Sequence, residues 1–214
     1  MKYGNPFRAP STDAASEQTL KGALTALENG PIRFKRNRVI ACEGDSADYV
    51  FHVVSGVIRS CKTFKNGERA VVAFYLPGDL FGWDYGSRPL SIEAASDARV
   101  MLIKRQALMA LAEQNTRLVD LLHSAITKEL RRAQEHAATI SISAKDRFLT
   151  FLNDFIIRLG TSGPVRLPMA YQDIADHLGI KIESLSRTIT ELENAGTLAR
   201  SARGTLSLKK FPLI

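Results

Sequence analysis

The sequence predicts an α+β protein, in which an antiparallel β jelly roll is followed by a long helix and by a small helical domain at the C-terminus. Residues 32 to 103 consist of short runs rich in Val, Ile, Phe and Tyr between turn residues, a spacing typical of an antiparallel sandwich or jelly roll. Residues 105 to 159 contain neither Gly nor Pro and favour helix. The last third contains two short amphipathic helical patterns that meet at a glycine.

Composition narrows the class of protein. Hydrophobic residues make up 45% and charged residues 24%, which is typical of a globular chain with a core. The 29 Lys and Arg exceed the 22 Asp and Glu, and the net charge of +7 favours a polyanionic partner, whether DNA, RNA or an acidic membrane surface. Because we find no membrane-spanning run and no secretory signal pattern, we expect a cytoplasmic protein. Cys42 and Cys61 are too few for a disulfide framework or a zinc site, and we expect neither a metal nor a cofactor.

The first half of the chain divides into a flexible N-terminal arm, residues 1–24, and a β domain, residues 25–104. Strands are predicted at the runs RVIAC, YVFHVVSG, VIRSCKTF, RAVVAFYL and RVMLIK. The pair Asn66-Gly67 predicts a tight hairpin turn, because both residues tolerate positive φ.

Residues 105–141 are predicted to form a long helix that carries an apolar stripe. Steps of three or four residues place the members of the stripe on one side of the helix. The stripe consists of Val119, Leu122, Ile126, Leu130, Ala133, Ala137 and Ile140. It packs either against the β domain of the same chain or against the same helix of a second subunit. Its length favours a homodimer, and both packings can hold at different levels of the helix.

The C-terminal domain, residues 142–214, begins with a helix whose two ends are marked in the sequence. Ser143 is a predicted N-cap with Asp146 three residues later, and Gly160 ends the helix in the left-handed conformation. The run LARSARGTLSLKK predicts a two-stranded wing with its turn at Arg203-Gly204.

The stretch QDIADHLGIKIESLSRTITELE, residues 172–193, predicts a helix-turn-helix. Its turn falls at Gly179, where a residue free to take positive φ is required. Two short helices joined in this way place the second helix in the major groove of DNA. The inward faces of the two helices are formed by Ile174, Ala175, Leu178, Ile182, Leu185, Ile189 and Leu192.

The outward side of the second helix carries Glu183, Ser186 and Arg187 near its N-terminus. Arg187 can donate two hydrogen bonds to guanine, Glu183 can accept one from cytosine, and Ser186 is small enough to touch a base edge. The alternative for Glu183 and Arg187 is an ordinary surface ion pair at i,i+4 spacing. The helix-turn-helix context favours base reading.

The chain resembles the Crp/Fnr superfamily of bacterial regulators, and most of all its Fnr- and FixK-type branches. The residues that carry the resemblance are RLPMAYQDIADHLGIKIESLSR (166–187), FHVVSGVIR (51–59) and FYLPGDLFGWDYGS (74–87). The resemblance implies a cyclic-nucleotide-binding-like β domain, a dimerisation helix and a winged helix-turn-helix. It also implies a TTGAT-like half-site in an inverted repeat of double-stranded DNA, read by Glu183, Ser186 and Arg187.

The same resemblance implies contacts with the DNA backbone. The candidates are Tyr171, Lys181, Ser184, Thr188 and Arg203. The family has Ser or Thr followed by Arg where this chain has Ala170-Tyr171, which removes an N-cap worth about 1 kcal/mol. Lys181 stands where the family often has Thr.

The sequence lacks the effector sites of the family's sensors. Cyclic-nucleotide-binding relatives follow the phosphate-binding Arg with Ser or Thr, whereas here Pro89 follows Arg88, which we expect to be a solvated loop residue. Iron–sulfur sensors need four thiolates, and this chain has two cysteines. We therefore expect a regulator that works without an effector, as FixK-type proteins are thought to.

Its resemblance further implies an activator that contacts RNA polymerase in low-oxygen or nitrogen-fixation control. A sensor gated by a small ligand, haem or redox change is the alternative. No catalytic set can be assembled from these residues, so we expect no enzyme. The basic run RFKRNR, residues 33–38, is interpreted as a solvated face or a polymerase contact and not as the DNA-reading element.

Overall fold

The computed structural model describes residues 30–160, 165–200 and 205–208. The predicted arm at residues 1–24 and the predicted wing turn at Arg203-Gly204 lie outside the described residues. Within the described ranges, no helix combines the length and the apolar composition that crossing a membrane requires.

The β domain consists of eight strands. They are β1 (Ile32–Phe34), β2 (Val39–Ala41), β3 (Tyr49–Ser55), β4 (Ile58–Thr63), β5 (Arg69–Tyr75), β6 (Leu80–Phe81), β7 (Ser91–Ala94) and β8 (Ala98–Lys104). They form two antiparallel sheets, in the orders β1-β8-β3-β6 and β2-β7-β4-β5. All five runs singled out in the sequence form strands, and the jelly-roll-like prediction is confirmed.

The core of the β domain lies between the two sheets. Phe51 and Phe81 stack with their ring centroids 5.2 Å apart, and Tyr75 lies on Phe81 at 3.8 Å. All three side chains are buried. Burial of such large apolar side chains contributes roughly 1.5–3 kcal/mol each, which explains why alternating strand residues determine this fold.

The hairpin between β4 and β5 differs from the prediction in its turn. Gly67 takes a φ of 84°, but Asn66 does not take positive φ. The amide of Phe64 donates to the carbonyl of Glu68 at 2.8 Å, and the amide of Gly67 donates to the carbonyl of Phe64 at 2.9 Å. A loop of this length requires one left-handed residue rather than two.

The long helix predicted at residues 105–141 is interrupted once, near Asn115, and the next helix begins after Ser143 as predicted. The three helices are α1 (Arg105–Glu113), α2 (Thr116–Thr139) and α3 (Ala144–Arg158). Asn115 begins α2 because its side chain accepts a hydrogen bond from the amide of Leu118. Ser143 caps α3 by accepting from the amide of Asp146, as predicted, and Gly160 beyond its end has a φ of 62°.

One arginine holds the junction between α2 and α3. The guanidinium of Arg147 donates to the carbonyls of Ile140 and Ile142, the latter at 3.0 Å. It also donates to the carbonyl of Leu178 in the C-terminal domain at 3.0 Å. A single side chain therefore donates hydrogen bonds to the carbonyl that follows α2, to a carbonyl of the connecting segment and to a carbonyl 31 residues away.

The apolar stripe of α2 packs differently along its length. Leu122 is only 6% exposed and belongs to the core of its own protomer, together with Leu118. Its assignment to the dimer interface is therefore wrong, because the β domain already covers it. Further along α2, Val119, Ile126 and Leu130 are 48%, 44% and 58% exposed. The other predicted interface residues, Ala133 and Ala137, are exposed as well.

The core of the C-terminal domain is continuous with buried side chains of the β domain, among them Val71 and Phe74 of β5. The remaining elements of the C-terminal domain are β9 (Val165–Arg166), α4 (Tyr171–Leu178), α5 (Ile182–Asn194), β10 (Leu198–Arg200) and β11 (Thr205–Leu208). The sheet order is β10-β11-β9, so the strands of the predicted wing are present. Phe148, Leu152 and Phe155 of α3 are at most 1% exposed and pack with α4 and α5 in one cluster.

Candidate nucleic-acid interface

The turn between α4 and α5 has the predicted geometry. Gly179 takes φ 63° and ψ 38°, a left-handed conformation that a side chain disfavours. The amide of Ile180 donates to the carbonyl of Ala175 at 3.1 Å and closes the end of α4. The chain then enters α5 within three residues.

The two faces of α5 are clearly separated. Leu185, Ile189 and Leu192 are fully buried, with no exposed surface. Glu183 and Ser186 are exposed in the first half of the helix, and Arg187 is exposed beside them. The structure therefore brings the three predicted base-reading side chains together on one accessible surface.

The charged side chains on that surface form no ion pair with each other among the described residues. Glu193, near the end of the helix, pairs with Arg200 at 3.1 Å. Among the residues that the structure describes, Glu183 and Arg187 form no ion pair with each other. The surface ion pair considered as the alternative at these positions is therefore absent from the described contacts.

The residues predicted to contact the DNA backbone differ in their exposure. Lys181 is exposed at the start of α5, and Ser184 and Tyr171 are half-buried. Thr188 is only 6% exposed and lies on the inward side of α5, so it cannot reach a phosphate and its assignment is wrong. Arg203 lies outside the described residues.

Neither helix of the motif has a side-chain cap at its N-terminus. Ala170 precedes α4 and Lys181 precedes α5, and neither side chain accepts a hydrogen bond there. The expected loss of an N-cap at Ala170 is confirmed. The carboxylate of Asp173 accepts from the amide of Ala170 at 3.4 Å, which is the reciprocal half of a capping box and not a replacement for the N-cap acceptor.

A buried ion cluster joins α4 to the β domain. Asp173 is 2% exposed, and its carboxylate accepts from Arg59 of β4 at 2.6 Å and from Arg69 of β5 at 2.5 Å. Arg69 also pairs with Asp176 at 2.8 Å, and Arg59 pairs with Glu93 at 2.6 Å. The first helix of the helix-turn-helix is therefore held against the sensor-like domain by charge. Sequence reasoning missed this cluster.

A second ion cluster joins α3, α2 and the loop after β5. Asp79 accepts from Arg158 of α3 at 2.6 Å and from Arg132 of α2 at 2.9 Å. Burial favours the neutral form of Asp79, but the two guanidinium groups outweigh burial and hold the pKa of Asp79 below its ordinary value. Both clusters orient the C-terminal domain relative to the β domain.

Between the two clusters lies a pair of histidines. His177 of α4 stacks on His136 of α2 with ring centroids 4.2 Å apart, and its Nδ1 lies 3.0 Å from the carbonyl oxygen of Val71. Burial, followed by the neighbouring His136, lowers the pKa of His177 to about 4. His177 is therefore neutral near neutral pH.

We expect the free energy of unfolding to fall by about 2 kcal/mol between about pH 7 and about pH 5 because of His177. The unfolded chain binds a proton at this residue with an ordinary pKa of about 6.5, whereas the folded protein resists protonation until the pH nears about 4. Stability is thus lost as the pH falls through this window. Urea unfolding of the wild type and of His177→Phe at both pH values measures the effect. A variant with the same pH dependence as the wild type would contradict it.

The β domain contains a cavity of about 310 Å³ beside α2. Its lining includes Ser60, Tyr75, Trp83, Asp84 and Glu129. Glu129 accepts from the hydroxyl of Tyr75 at 2.9 Å, and burial raises the pKa of the Glu129 carboxyl. The cavity therefore presents acidic groups, not cationic ones.

Arg88 does not lie in water as the sequence predicted. It is 2% exposed, donates to the carbonyl of Tyr49 at 2.5 Å, and lies 4.5 Å from the ring centroid of Phe51. Asp84 is 3.6 Å away. The aromatic ring and the backbone acceptor replace part of the water around the guanidinium, whereas Nη1 has no hydrogen-bond partner among the described residues.

The cysteines also behave differently from each other. Burial raises the pKa of the Cys61 thiol to about 11, whereas Cys42 is exposed.

Within the part of the chain that the structure describes, no group of three or more His, Cys, Asp or Glu could hold a metal ion.

A β domain, a long helix with an exposed apolar stripe, and a helix-turn-helix with a polar outer face define a DNA-binding transcription regulator. Residues 31–115 match the cyclic nucleotide-binding domain family, and residues 147–212 match the Crp-like helix-turn-helix domain family. The chain belongs to the Crp/Fnr superfamily of transcription regulators.

Within this superfamily the chain is similar to FixK proteins. It is 41% identical over 193 residues to the nitrogen fixation regulation protein FixK of Azorhizobium caulinodans, covering 87% of this chain and 78% of the relative. It is 32% identical over 168 residues to the transcriptional activatory protein AadR of Rhodopseudomonas palustris, covering 76% and 70%. The structure of FixK2 from Bradyrhizobium japonicum superposes with a TM-score of 0.79 at 34% identity, covering 85% of this chain and 92% of that one.

Proposed function

We propose that the protein binds an inverted repeat of TTGAT-like half-sites as a homodimer and reads each half-site with Glu183, Ser186 and Arg187. The observation that carries the proposal is the common exposure of these three side chains on the first half of α5. In a helix-turn-helix this part of the second helix approaches the base edges.

Each of the three side chains has a distinct role in the proposal. The guanidinium of Arg187 donates to O6 and N7 of guanine, the carboxylate of Glu183 accepts from N4 of cytosine, and Ser186 touches the neighbouring base. A good bidentate contact discriminates between bases by about 1–3 kcal/mol. Lys181, exposed at the start of the helix, adds a phosphate contact.

We propose that two protomers pair along the exposed part of α2. The residues available for pairing there are Val119, Ile126, Leu130, Ala133 and Ala137. Covering such a stripe removes apolar side chains from water, and a two-fold axis places two recognition helices about 34 Å apart on one face of the DNA.

The proposal requires no cyclic nucleotide. The lining of the β-domain cavity contains the acidic side chains of Asp84 and Glu129 and, among the described residues, no cationic one, and the guanidinium of Arg88 donates to the carbonyl of Tyr49 and lies 3.6 Å from Asp84. The two ion clusters hold the C-terminal domain on the β domain with side chains of this chain alone.

The physiological part of the proposal rests on the relatives. The names of the FixK and AadR proteins support activation of transcription in the control of nitrogen fixation, and a relative named anaerobic regulatory protein supports control at low oxygen. Contact with RNA polymerase is part of the proposal. A transcription assay with purified polymerase and a promoter that carries the selected site tests activation directly.

An effector-gated sensor is the second candidate function. It is favoured by Ser60 Oγ and Trp83 Nε1, which line the cavity and, among the described residues, have no hydrogen-bond partner. Calorimetry with cyclic nucleotides and an absorption spectrum of the purified protein distinguish the two candidates, since either a tightly bound nucleotide or a chromophore favours the sensor.

Arg187→Ala is expected to weaken specific binding by about 1–3 kcal/mol per half-site and to relax the preference for G at the matching base. The physical reason is the loss of a bidentate contact to one base pair. Competition gel shifts with DNA altered at single positions measure both effects. Arg117→Ala is the matched control, because Arg117 is an exposed arginine at the start of α2, outside the helix-turn-helix. Unchanged base preference in Arg187→Ala would rule out this assignment.

A further inference from the structure

We propose that a basic surface on the β domain, formed by Arg33, Arg36, Arg38 and Arg99, binds DNA phosphates outside the half-site that α5 reads. The inference rests on the proposed function, since it requires α5 to be docked in the major groove. It adds a second contact, from a domain other than the helix-turn-helix, and so extends the DNA footprint of each subunit.

The basic surface concentrates like charges. Arg33 and Arg99 lie directly opposite each other in the antiparallel pair of β1 and β8, and both are exposed. Like charges in this position destabilise a sheet. Arg36 and Arg38 are exposed in the adjoining turn between β1 and β2. An anionic partner relieves this repulsion.

The backbone of that turn is firmly held. The amide of Asn37, which has a φ of 64°, donates to the carbonyl of Ala94 at 2.8 Å, and the carbonyl of Arg38 accepts from Ala94 at 3.0 Å. The amide of Arg36 donates to the carboxylate of Asp97 at 3.0 Å. Because backbone groups make these contacts, the backbone of Arg36 and Arg38 is held in place and their exposed guanidinium groups stay free of these hydrogen bonds.

The turn lies next to the helix-turn-helix. The side-chain oxygen of Asn37 accepts from Arg59 at 3.3 Å, and the same guanidinium donates to Asp173 in the first turn of α4 at 2.6 Å. One arginine therefore separates the basic surface from the N-terminal turn of α4. In a helix-turn-helix the first helix crosses the DNA backbone when the second enters the major groove.

The acidic groups near the basic surface are already neutralised. Asp97 pairs with Lys35 at 2.9 Å, Glu93 pairs with Arg59, and Asp173 pairs with both Arg59 and Arg69. The excess charge at this edge is therefore positive. A DNA backbone that continues past α4 carries regularly spaced phosphates of the opposite sign, and each contact releases a condensed counterion.

The test compares two DNA fragments and two charge-matched variants. Arg36→Gln/Arg38→Gln removes two charges from the basic surface. Lys104→Gln/Arg117→Gln removes two exposed charges at the opposite end of β8 and at the start of α2. Binding is measured over a range of salt concentrations, on a duplex of about 18 base pairs that ends at the site and on one of about 40 base pairs with long flanks.

For the wild type we expect tighter binding to the long fragment. Arg36→Gln/Arg38→Gln is expected to lose about tenfold or more of its affinity for the long fragment at low salt and little for the short one. The slope of log affinity against log salt should fall by about 0.9 per lost phosphate contact, up to about 3.6 for a dimer. The control variant should retain the fragment-length dependence of the wild type.

Equal losses on both fragments would overturn the proposal, because they would indicate general electrostatic attraction. Unchanged DNA binding with reduced transcription by purified polymerase would also overturn it and would assign the surface to the polymerase. Both outcomes are separable from failure of the proposed function. If the proposed function itself fails, the wild type will not bind the short duplex sequence-specifically, and Arg187→Ala will leave base preference unchanged.

Discussion

Asp173→Ala is expected to lower the free energy of unfolding by about 3 kcal/mol, because it removes a buried carboxylate that two guanidinium groups share. Arg59 and Asp173 have side chains that are only 6% and 2% exposed, so water cannot replace the lost carboxylate. The effect should be no larger, since Arg59 keeps Glu93 and Arg69 keeps Asp176.

Urea unfolding followed by circular dichroism measures this change. Asp154→Ala is the matched control, because Asp154 also pairs with an arginine, Arg158 at 3.3 Å, but is 49% exposed. An exposed pair of this kind contributes only about 0–1 kcal/mol. If both variants lose equal stability, the cluster at Asp173 does not hold the helix-turn-helix on the β domain.

Ile126→Glu/Leu130→Glu is expected to convert the dimer to a monomer and to weaken specific DNA binding by at least about 100-fold. Each glutamate places a charge in the exposed part of the α2 stripe, where pairing requires removal from water. A monomer also loses the gain from simultaneous binding of two linked half-sites, which is roughly 10²–10⁴ in affinity.

Sedimentation equilibrium and gel shifts test this expectation together. Phe64→Glu/Val72→Glu is the control, since both residues are exposed apolar side chains on the β domain, 50% and 42% exposed. Leu122 is unsuitable as a target because a charge there would disrupt the core of the protomer. A doubly charged α2 variant that still sediments as a dimer would exclude pairing along this helix.

Features that depend on neighbouring residues in the chain could be predicted from the sequence. Ser143 marks the start of α3, Gly160 follows its end, and Gly179 forms the turn of the helix-turn-helix. In each case the determinant is a local backbone requirement. The exposure of Glu183 and Arg187 followed equally well, because the spacing of the buried residues fixes which side of a helix faces outward.

Features that depend on distant partners could not be predicted. Arg59 and Asp173 are 114 residues apart, and no local pattern indicates that they meet. Arg88 was expected in water because no local pattern shows that an aromatic ring from β3 covers it. Leu122 was assigned to a subunit interface because periodicity reveals an apolar side of a helix but does not identify what covers it.

The arginine at the junction of α2 and α3 has a consequence for operator architecture. Arg147 joins the carbonyl groups of Ile140 and Ile142, which directly follow α2, to the end of α4, and this restricts the movement of the connecting segment. The reach from α2 to the recognition helix is then restricted as well. If two protomers pair along α2 as proposed, we expect the protein to set the spacer between half-sites, since one added base pair rotates a half-site by about 34°.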